Sequence, residues 1–248
     1  MNYRIVVQFD GGRYKGFQKQ TGTKENDSTI QGKLEAVIKS FVKHDVQLIG
    51  CGRTDAGVHS ENYVANFVTT VDLNEDALLH HFDKYLPDDI FVKEIGEVSE
   101  RFHSRYNVNS KIYQYRIGTD RSRDVFNRKY AYQINDELDI EKMKQASKLF
   151  VGERDFAGFT NLKSKTKSTV RTIYAINIYK DNDKETVIEI EGNGFLQNMV
   201  RILVGTLIEI GTGEREIGSI AKIFESKVRE ESGVMVPAQG LKLLNVKY

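Results

Sequence analysis

Strand-like and helix-like periodicities alternate along this chain in an order that occurs twice, and that order constrains the fold more than any other feature. Tyr3 to Phe9 is a short run rich in β-formers and reads as a strand, closed by the turn Asp10-Gly11-Gly12. Ser28-Thr29-Ile30-Gln31 fits a capping box with Ser28 as N-cap. Ile30, Leu34, Val37, Ile38 and Phe41 then recur at helical spacing, which predicts an amphipathic helix over 29–43. Strands are predicted at 46–49, 63–69 and 90–98, with a helix at 74–85 stopped near Pro87. The second half gives a strand at 105–118, a short one at 129–134, and a helix capped by Asp139 that carries Met143, Ala146, Leu149 and Phe150. Strands at 171–179 and 186–191 follow, joined by the turn Asp181-Asn182-Asp183-Lys184. Helices at 196–210 and 216–226 and a strand at 241–246 complete it; the first of these helices is too apolar all round to lie on a surface.

Each half thus reads approximately β-α-β-β-α-β, the order of ferredoxin-like and RNA-recognition-type units. The expected fold is α+β: two such units with mainly antiparallel sheets, related by a pseudo-two-fold axis, with a cleft between them. Charge sets the expected boundary, giving units 1–104 and 105–248. Residues 1–100 carry 11 Lys+Arg against 16 Asp+Glu, whereas residues 101–248 carry 25 against 19. Eight basic residues fall within 101–129 against Asp120 and Asp124, interleaved with Phe102, Tyr106, Tyr113, Tyr115 and Phe126. A second basic run extends from Arg154 to Arg171. Positive stretches with aromatics suit phosphate contact and base stacking; a solvated charged face is the plainer alternative.

Several classes are disfavoured. No apolar run approaches the roughly 18 residues of a membrane span. One cysteine rules out an internal disulfide framework, and the five histidines show no zinc-ligand spacing. Met1-Asn2-Tyr3-Arg4 leads straight into a strand-like pattern without a basic-then-apolar signal segment, so a cytoplasmic location is expected.

The most unusual local feature is Gly50-Cys51-Gly52-Arg53-Thr54-Asp55-Ala56-Gly57-Val58-His59. Glycines allow backbone geometry closed to other residues and let a ligand approach closely. Arg53 pairs a phosphate hook with the anionic Asp55, and an aspartate can attack without a base to activate it. The pattern alone leaves open a tight turn with an Asx-type bond and a surface Arg–Asp pair.

The loop resembles the active-site motif of the bacterial tRNA pseudouridine synthase A family. The resemblance extends over nearly the whole chain. It includes Asp10-Gly11-Gly12-Arg13-Tyr14-Lys15-Gly16-Phe17-Gln18-Lys19-Gln20, Thr29-Ile30-Gln31-Gly32-Lys33-Leu34-Glu35 and Ser110-Lys111-Ile112-Tyr113-Gln114-Tyr115. Gly152 to Phe156, Thr169 to Ile173, Asn193 to Arg201 continuing through Val204-Gly205-Thr206, and Pro237 to Leu241 also match. The resemblance implies Asp55 as catalytic nucleophile, Arg53 on the RNA backbone, Tyr113 against a flipped uracil, and Arg201 paired with Asp55. It implies uridines 38 to 40 of the tRNA anticodon arm as targets, a homodimer and no cofactor. Phe17 stands where the family usually has Trp, and Cys51 where Ser is common. Glu61-Asn62-Tyr63-Val64 replaces the usual Gly-Gln-Val, and Val236 an Ala. These departures mark a divergent member.

The reaction implied is an isomerisation: the N1–C1′ bond of uridine breaks and C5 bonds to C1′, with no redox change or group donor. Whether the carboxylate adds at C6 or engages the sugar carbon stays open. The competing class is a non-catalytic tandem RNA-recognition-like binding protein, which leaves the Arg-Thr-Asp loop unexplained. A phosphate-handling hydrolase built on Asp55 lacks a partner base or metal ligands in the sequence.

Overall fold

A computed structural model describes residues 1–20, 28–119, 125–162, 168–181 and 185–248. In chain order its elements are β1 (Asn2–Phe9), α1 (Ile30–Val42), β2 (Ile49–Gly50), β3 (His59–Val68), α2 (Glu75–Tyr85), β4 (Ile90–Val98) and β5 (Ser110–Gly118). They continue with β6 (Tyr132–Gln133), α3 (Ile140–Ser147), β7 (Gly152–Asp155), β8 (Val170–Asp181), β9 (Glu185–Gly192), α4 (Met199–Gly211), α5 (Ser219–Ser226) and β10 (Leu241–Lys247). The architecture is mixed α+β with mostly antiparallel strands, as the alternating periodicities predict.

Two compact units form, Met1–Asn109 with Lys242–Tyr248, and Ser110–Leu241. The boundary therefore falls five residues beyond the one drawn from charge, and the last strand joins the first unit rather than the second. The reason is local hydrogen bonding. β10 runs parallel to β3, with Lys242 opposite His59 and Leu243 opposite Ser60. Asn62 Nδ2 donates to the Leu244 carbonyl (2.9 Å), and Asn109 N to that of Lys247 (2.8 Å).

The first unit has the order β-α-β-β-α-β before β10 joins it, and its strands lie in the order β4-β1-β3-β10. β1 pairs antiparallel with β3 (Ile5 opposite Ala65) and with β4 (Ile5 opposite Ile95). The strand predicted at 46–49 reduces to the two residues of β2, which pair with β3 through Gly50 and Ala65. β3 starts four residues earlier than predicted; Tyr63, Val64, Ala65, Asn66 and Phe67 are all buried, so both of its faces are covered. α1 buries Ile30, Leu34, Val37, Ile38 and Val42. Its N-cap is Thr29 rather than Ser28: the Thr29 hydroxyl accepts from Gly32 N at 3.1 Å. Gln31 is thereby released from capping and turns inward.

In the second unit the strand order is β5-β9-β8-β7, all antiparallel, with β6 parallel to β5. Asp139 caps α3 as predicted, accepting from Lys142 N at 3.0 Å. β7 has no counterpart in the periodicity, because Gly152-Glu153-Arg154-Asp155 carries no apolar alternation. The predicted turn at 182–184 lies outside the described residues. α4 buries 11 of its 13 residues, as its all-round apolar pattern requires. Among the described residues no helix is long and apolar enough to cross a membrane.

Candidate active site

The loop 50–59 connects β2 to β3 in the first unit, and the rest of its neighbourhood comes from the segment 10–19. Gly11 and Gly16 are the contact points. A methyl at Gly11 would stand 2.6 Å from the Val58 carbonyl carbon, nearer still to its oxygen. Gly16 has φ +89°, and a methyl there would come within 3.3 Å of the Asp55 carbonyl carbon and closer to the Thr54 carbonyl oxygen. Both positions need glycine because backbone lies on backbone; Gly16 needs it also for its left-handed conformation. Gly57, at φ +81°, donates its amide to the Tyr14 carbonyl (3.4 Å). The Tyr14 hydroxyl donates to Asp89 Oδ1 at 2.6 Å. Burial, aided by that carboxylate, pushes its pKa up to about 12, so it remains a donor at any working pH. His59 Nδ1 lies 2.9 Å from Asp10 Oδ1 and 3.1 Å from Gly11 N.

Where the loop leaves β2, its buttress is aromatic. Tyr63, fully buried in β3, donates its hydroxyl to the Gly52 carbonyl. Its ring stacks on Phe17 with centroids 4.0 Å apart and planes 22° apart. Gly50 fits beneath this pair: a methyl there would meet Phe17 Cε1 at 2.6 Å and Tyr63 Cζ at 2.9 Å. Cys51 is buried and its amide donates to Val64 O (2.8 Å), which makes it a packing residue of this corner. The run entering β2 is held from α1. Glu35 Oε1 accepts from Leu48 N and from Gln31 Nε2, both at 2.8 Å, while Glu35 Oε2 pairs with Lys19 Nζ at 2.8 Å. Gln31 Nε2 also reaches the Leu48 carbonyl (3.1 Å), and its Oε1 accepts from Lys19 N (2.9 Å).

Between these clamps the side chains of 53–55 are exposed to different extents. Thr54 is buried, Asp55 half-buried and Arg53 exposed. Arg53 Nε donates to Gln18 Oε1 at 2.6 Å, which orients its guanidinium. Arg53 and Asp55 thus share one loop whose backbone is fixed at both ends, a requirement for a preorganised carboxylate.

Tyr113 and Arg201 belong to the second unit. Tyr113, on β5 opposite Ile190, is half-buried and packs edge-to-face on Phe195, with centroids 5.2 Å apart at 88°. Its neighbour Tyr115 is the one that enters the core: it is wholly buried and donates to the Pro237 carbonyl (2.8 Å). Arg201 lies on the first turn of α4, and its Nε donates to the Val236 carbonyl at 2.7 Å. The segment 233–236 runs along the helix to supply that carbonyl. Gly205 and Gly233 permit the approach: a methyl at Gly205 would stand 2.9 Å from the Val234 carbonyl carbon, one at Gly233 2.6 Å from Thr206 Cα. Gly233 N donates to Thr206 Oγ1 (3.0 Å), and Val234 N to Glu209 Oε1 (2.8 Å). Sequence reasoning did not single out Phe195, Tyr63, Gln18 or the Gln31–Glu35 clamp as supports. All but Tyr63 lie within the motifs that carry the resemblance, but only the fold shows what they touch.

A half-buried carboxylate on a doubly clamped loop, with an exposed arginine beside it in an α+β fold, suits an enzyme of the pseudouridine synthase class. Comparison with known proteins agrees. The tRNA pseudouridine synthase family matches over residues 5–107 and 146–248. The chain is 48% identical over 247 residues to tRNA pseudouridine synthase A 1 of Clostridium tetani (strain Massachusetts / E88), covering 100% of this chain and 99% of that one. Identity is 46% to tRNA pseudouridine synthase A of Bacillus sp. (strain KSM-64) and 43% to tRNA pseudouridine synthase A 2 of Bacillus anthracis, with the same coverage. The chain belongs to the tRNA pseudouridine synthase family.

Proposed function

We propose that this protein isomerises uridine to pseudouridine in tRNA, with Asp55 as the nucleophile. The observation that carries the reading is the loop itself: Asp55 is half-buried on a backbone held by Gly11, Gly16 and Tyr14 on one side and by Tyr63 on the other. The target base first leaves its stack, at a cost of a few kcal/mol. Arg53, exposed beside the nucleophile, contacts the RNA backbone and holds the nucleotide out. The Asp55 carboxylate then attacks, the N1–C1′ bond breaks, the uracil turns, and C5 bonds to C1′. The proton on C5 is lost and N1 gains one, so atoms balance without a donor or redox partner. In this reading Tyr113 packs against the same uracil, and Arg201 pairs with Asp55. No cofactor takes part. The targets are uridines 38 to 40 of the anticodon arm, and the working form is a cytoplasmic homodimer.

The test is turnover on unmodified tRNA by purified protein, followed by mapping of the pseudouridines formed. Asp55→Asn is expected to abolish product while tRNA binding persists. Undiminished turnover by Asp55→Asn would remove the nucleophile assignment. Binding without turnover by the wild type, across a whole tRNA pool, would favour a non-catalytic RNA-binding module. Product at positions other than 38 to 40 would overturn the target assignment alone.

A further inference from the structure

The basic, aromatic-rich stretch beginning at Arg101 opens with a turn, 99–107, whose base is fixed by buried polar groups. Asn2 Nδ2 donates to the carbonyls of Ser99 (3.1 Å) and Phe102 (2.9 Å). Asn66 Nδ2 donates to Asn2 Oδ1 (2.9 Å), and Asn66 Oδ1 accepts from both the amide and the hydroxyl of the fully buried Ser104. The Tyr248 hydroxyl donates to the Ser104 carbonyl at 2.6 Å, and its ring packs on Phe102. Asn107 closes the turn: its Oδ1 accepts from His103 N (2.7 Å) and its amide donates to the His103 carbonyl (3.1 Å).

The tip of this turn points to solvent in a set pose. His103 Nδ1 accepts from the amides of Arg105 (3.1 Å) and Tyr106 (3.3 Å), which fixes the imidazole plane and leaves its N–H on Nε2. Tyr106 packs on that imidazole with centroids 4.1 Å apart and planes 31° apart, yet is 77% exposed. One ring face is covered and the other is open to water. Arg101 and Arg105 flank it, both exposed, and among the described residues neither forms an ion pair. Over 99–109 the two arginines face a single carboxylate, Glu100. Of the other aromatics of the stretch, Tyr115 is buried and Phe102 lies against Tyr248.

We propose that the Tyr106–His103 pair is a stacking platform for an unpaired nucleobase of the RNA substrate, with Arg101 and Arg105 on the adjoining phosphates. A planar ring with one free face accepts any base, and its pinned pose means that little side-chain freedom is lost on binding. Guanidiniums without carboxylate partners are available to phosphate oxygens. The platform rests on the reading of tRNA as substrate and adds a contact remote in sequence from Asp55.

The experiment compares full-length wild type, Tyr106→Ala, Tyr106→Phe and Arg105→Gln in equilibrium binding to an unmodified tRNA transcript, over a salt series. Tyr106→Ala is expected to weaken binding roughly 5- to 150-fold, the range for one lost base–aromatic stack, with the salt slope unchanged. Tyr106→Phe keeps the affinity within about twofold, because the ring face is retained. Arg105→Gln lowers the salt slope by about one. Wild-type affinity in Tyr106→Ala overturns the platform. A change of oligomeric state by Tyr106→Ala, seen in sedimentation without RNA, also overturns it and assigns the turn to a contact with a protein partner. Failure of the parent reading is separable: wild type that binds tRNA but forms no pseudouridine removes the catalytic assignment and leaves the platform standing.

Discussion

Replacing Gly16 with alanine perturbs the loop of Asp55 without touching any functional side chain. Two costs add. Alanine at φ +89° carries left-handed strain of about 1–2 kcal/mol. The new methyl also lies well inside 3.0 Å of the Thr54 carbonyl oxygen, a separation real contacts essentially never show, so that carbonyl must retreat by at least about half an ångström. Overpacking of this kind costs about 1–3 kcal/mol. The total, about 2–5 kcal/mol, corresponds to a fall in Tm of about 4–20 °C for a chain of this size. The displaced carbonyl belongs to the residue before Asp55, and misplacement of a reacting group by ~1 Å costs about 100-fold in rate. We therefore expect kcat to fall about 10- to 100-fold at a temperature where the variant is fully folded, with tRNA affinity within about threefold. The assay is tritium release from tRNA labelled at C5 of uridine, since that hydrogen is lost when C5 bonds to C1′. Gly213→Ala is the control: φ there is +84° and a methyl meets nothing within 4 Å, so it carries the strain alone. Gly12→Ala, which meets only the Asp10 carboxylate at 3.0 Å, should be nearly silent. Turnover by Gly16→Ala within threefold of wild type, or a loss equal to that in Gly213→Ala, would refute the idea that this contact sets the loop.

Tyr63→Phe keeps the stack on Phe17 and removes the hydroxyl that donates to Gly52; leaving that carbonyl unpaired is expected to cost about 1–3 kcal/mol in denaturant unfolding and to lower kcat more than tRNA affinity. Gly205→Ala sets two effects against each other: alanine gains about 1 kcal/mol of helix propensity, but its methyl would displace the Val234 carbonyl. Displacement wins, because the neighbour is backbone, and a net loss of about 1–3 kcal/mol is expected by thermal unfolding. Turnover should drop with it as the Val236 carbonyl leaves Arg201.

Local signals made much of the fold legible. Helical spacing over 29–43, the Asp139 cap and the largely apolar run 196–210 each placed an element close to its observed bounds. The failures are equally specific. A capping box cannot be told from its one-residue shift when Ser28 and Thr29 are adjacent, and Gln31, read as a capping partner, serves β2 instead. β10 carries no mark of the unit it joins, because strand pairing across some 180 residues leaves no periodicity in either partner. In the active-site region the motif glycines were visible, but the reason for them was not. Gly11 and Gly16 are required by a loop some 40 residues further along, and only tertiary contact reveals it.

The two departures from the family pattern at Phe17 and Tyr63 gain a physical meaning from this corner. Taken singly, a smaller ring at 17 opens space and a larger side chain at 63 overfills it, and either change would be felt in so dense a core. The two rings are stacked at 4.0 Å, so a change of volume at one bears directly on the other. A volume-conserving exchange between touching residues is the kind of change a core tolerates best. The tyrosine also supplies a hydroxyl that reaches the loop at Gly52. The backbone contacts of Gly11 and Gly16 have no such freedom, because no side chain mediates them and only glycine fits. The placement of Asp55 thus depends on a rigid part, made of backbone, and an adjustable part, made of rings. Positions 17 and 63 fall in the adjustable part, beside the loop that carries Asp55.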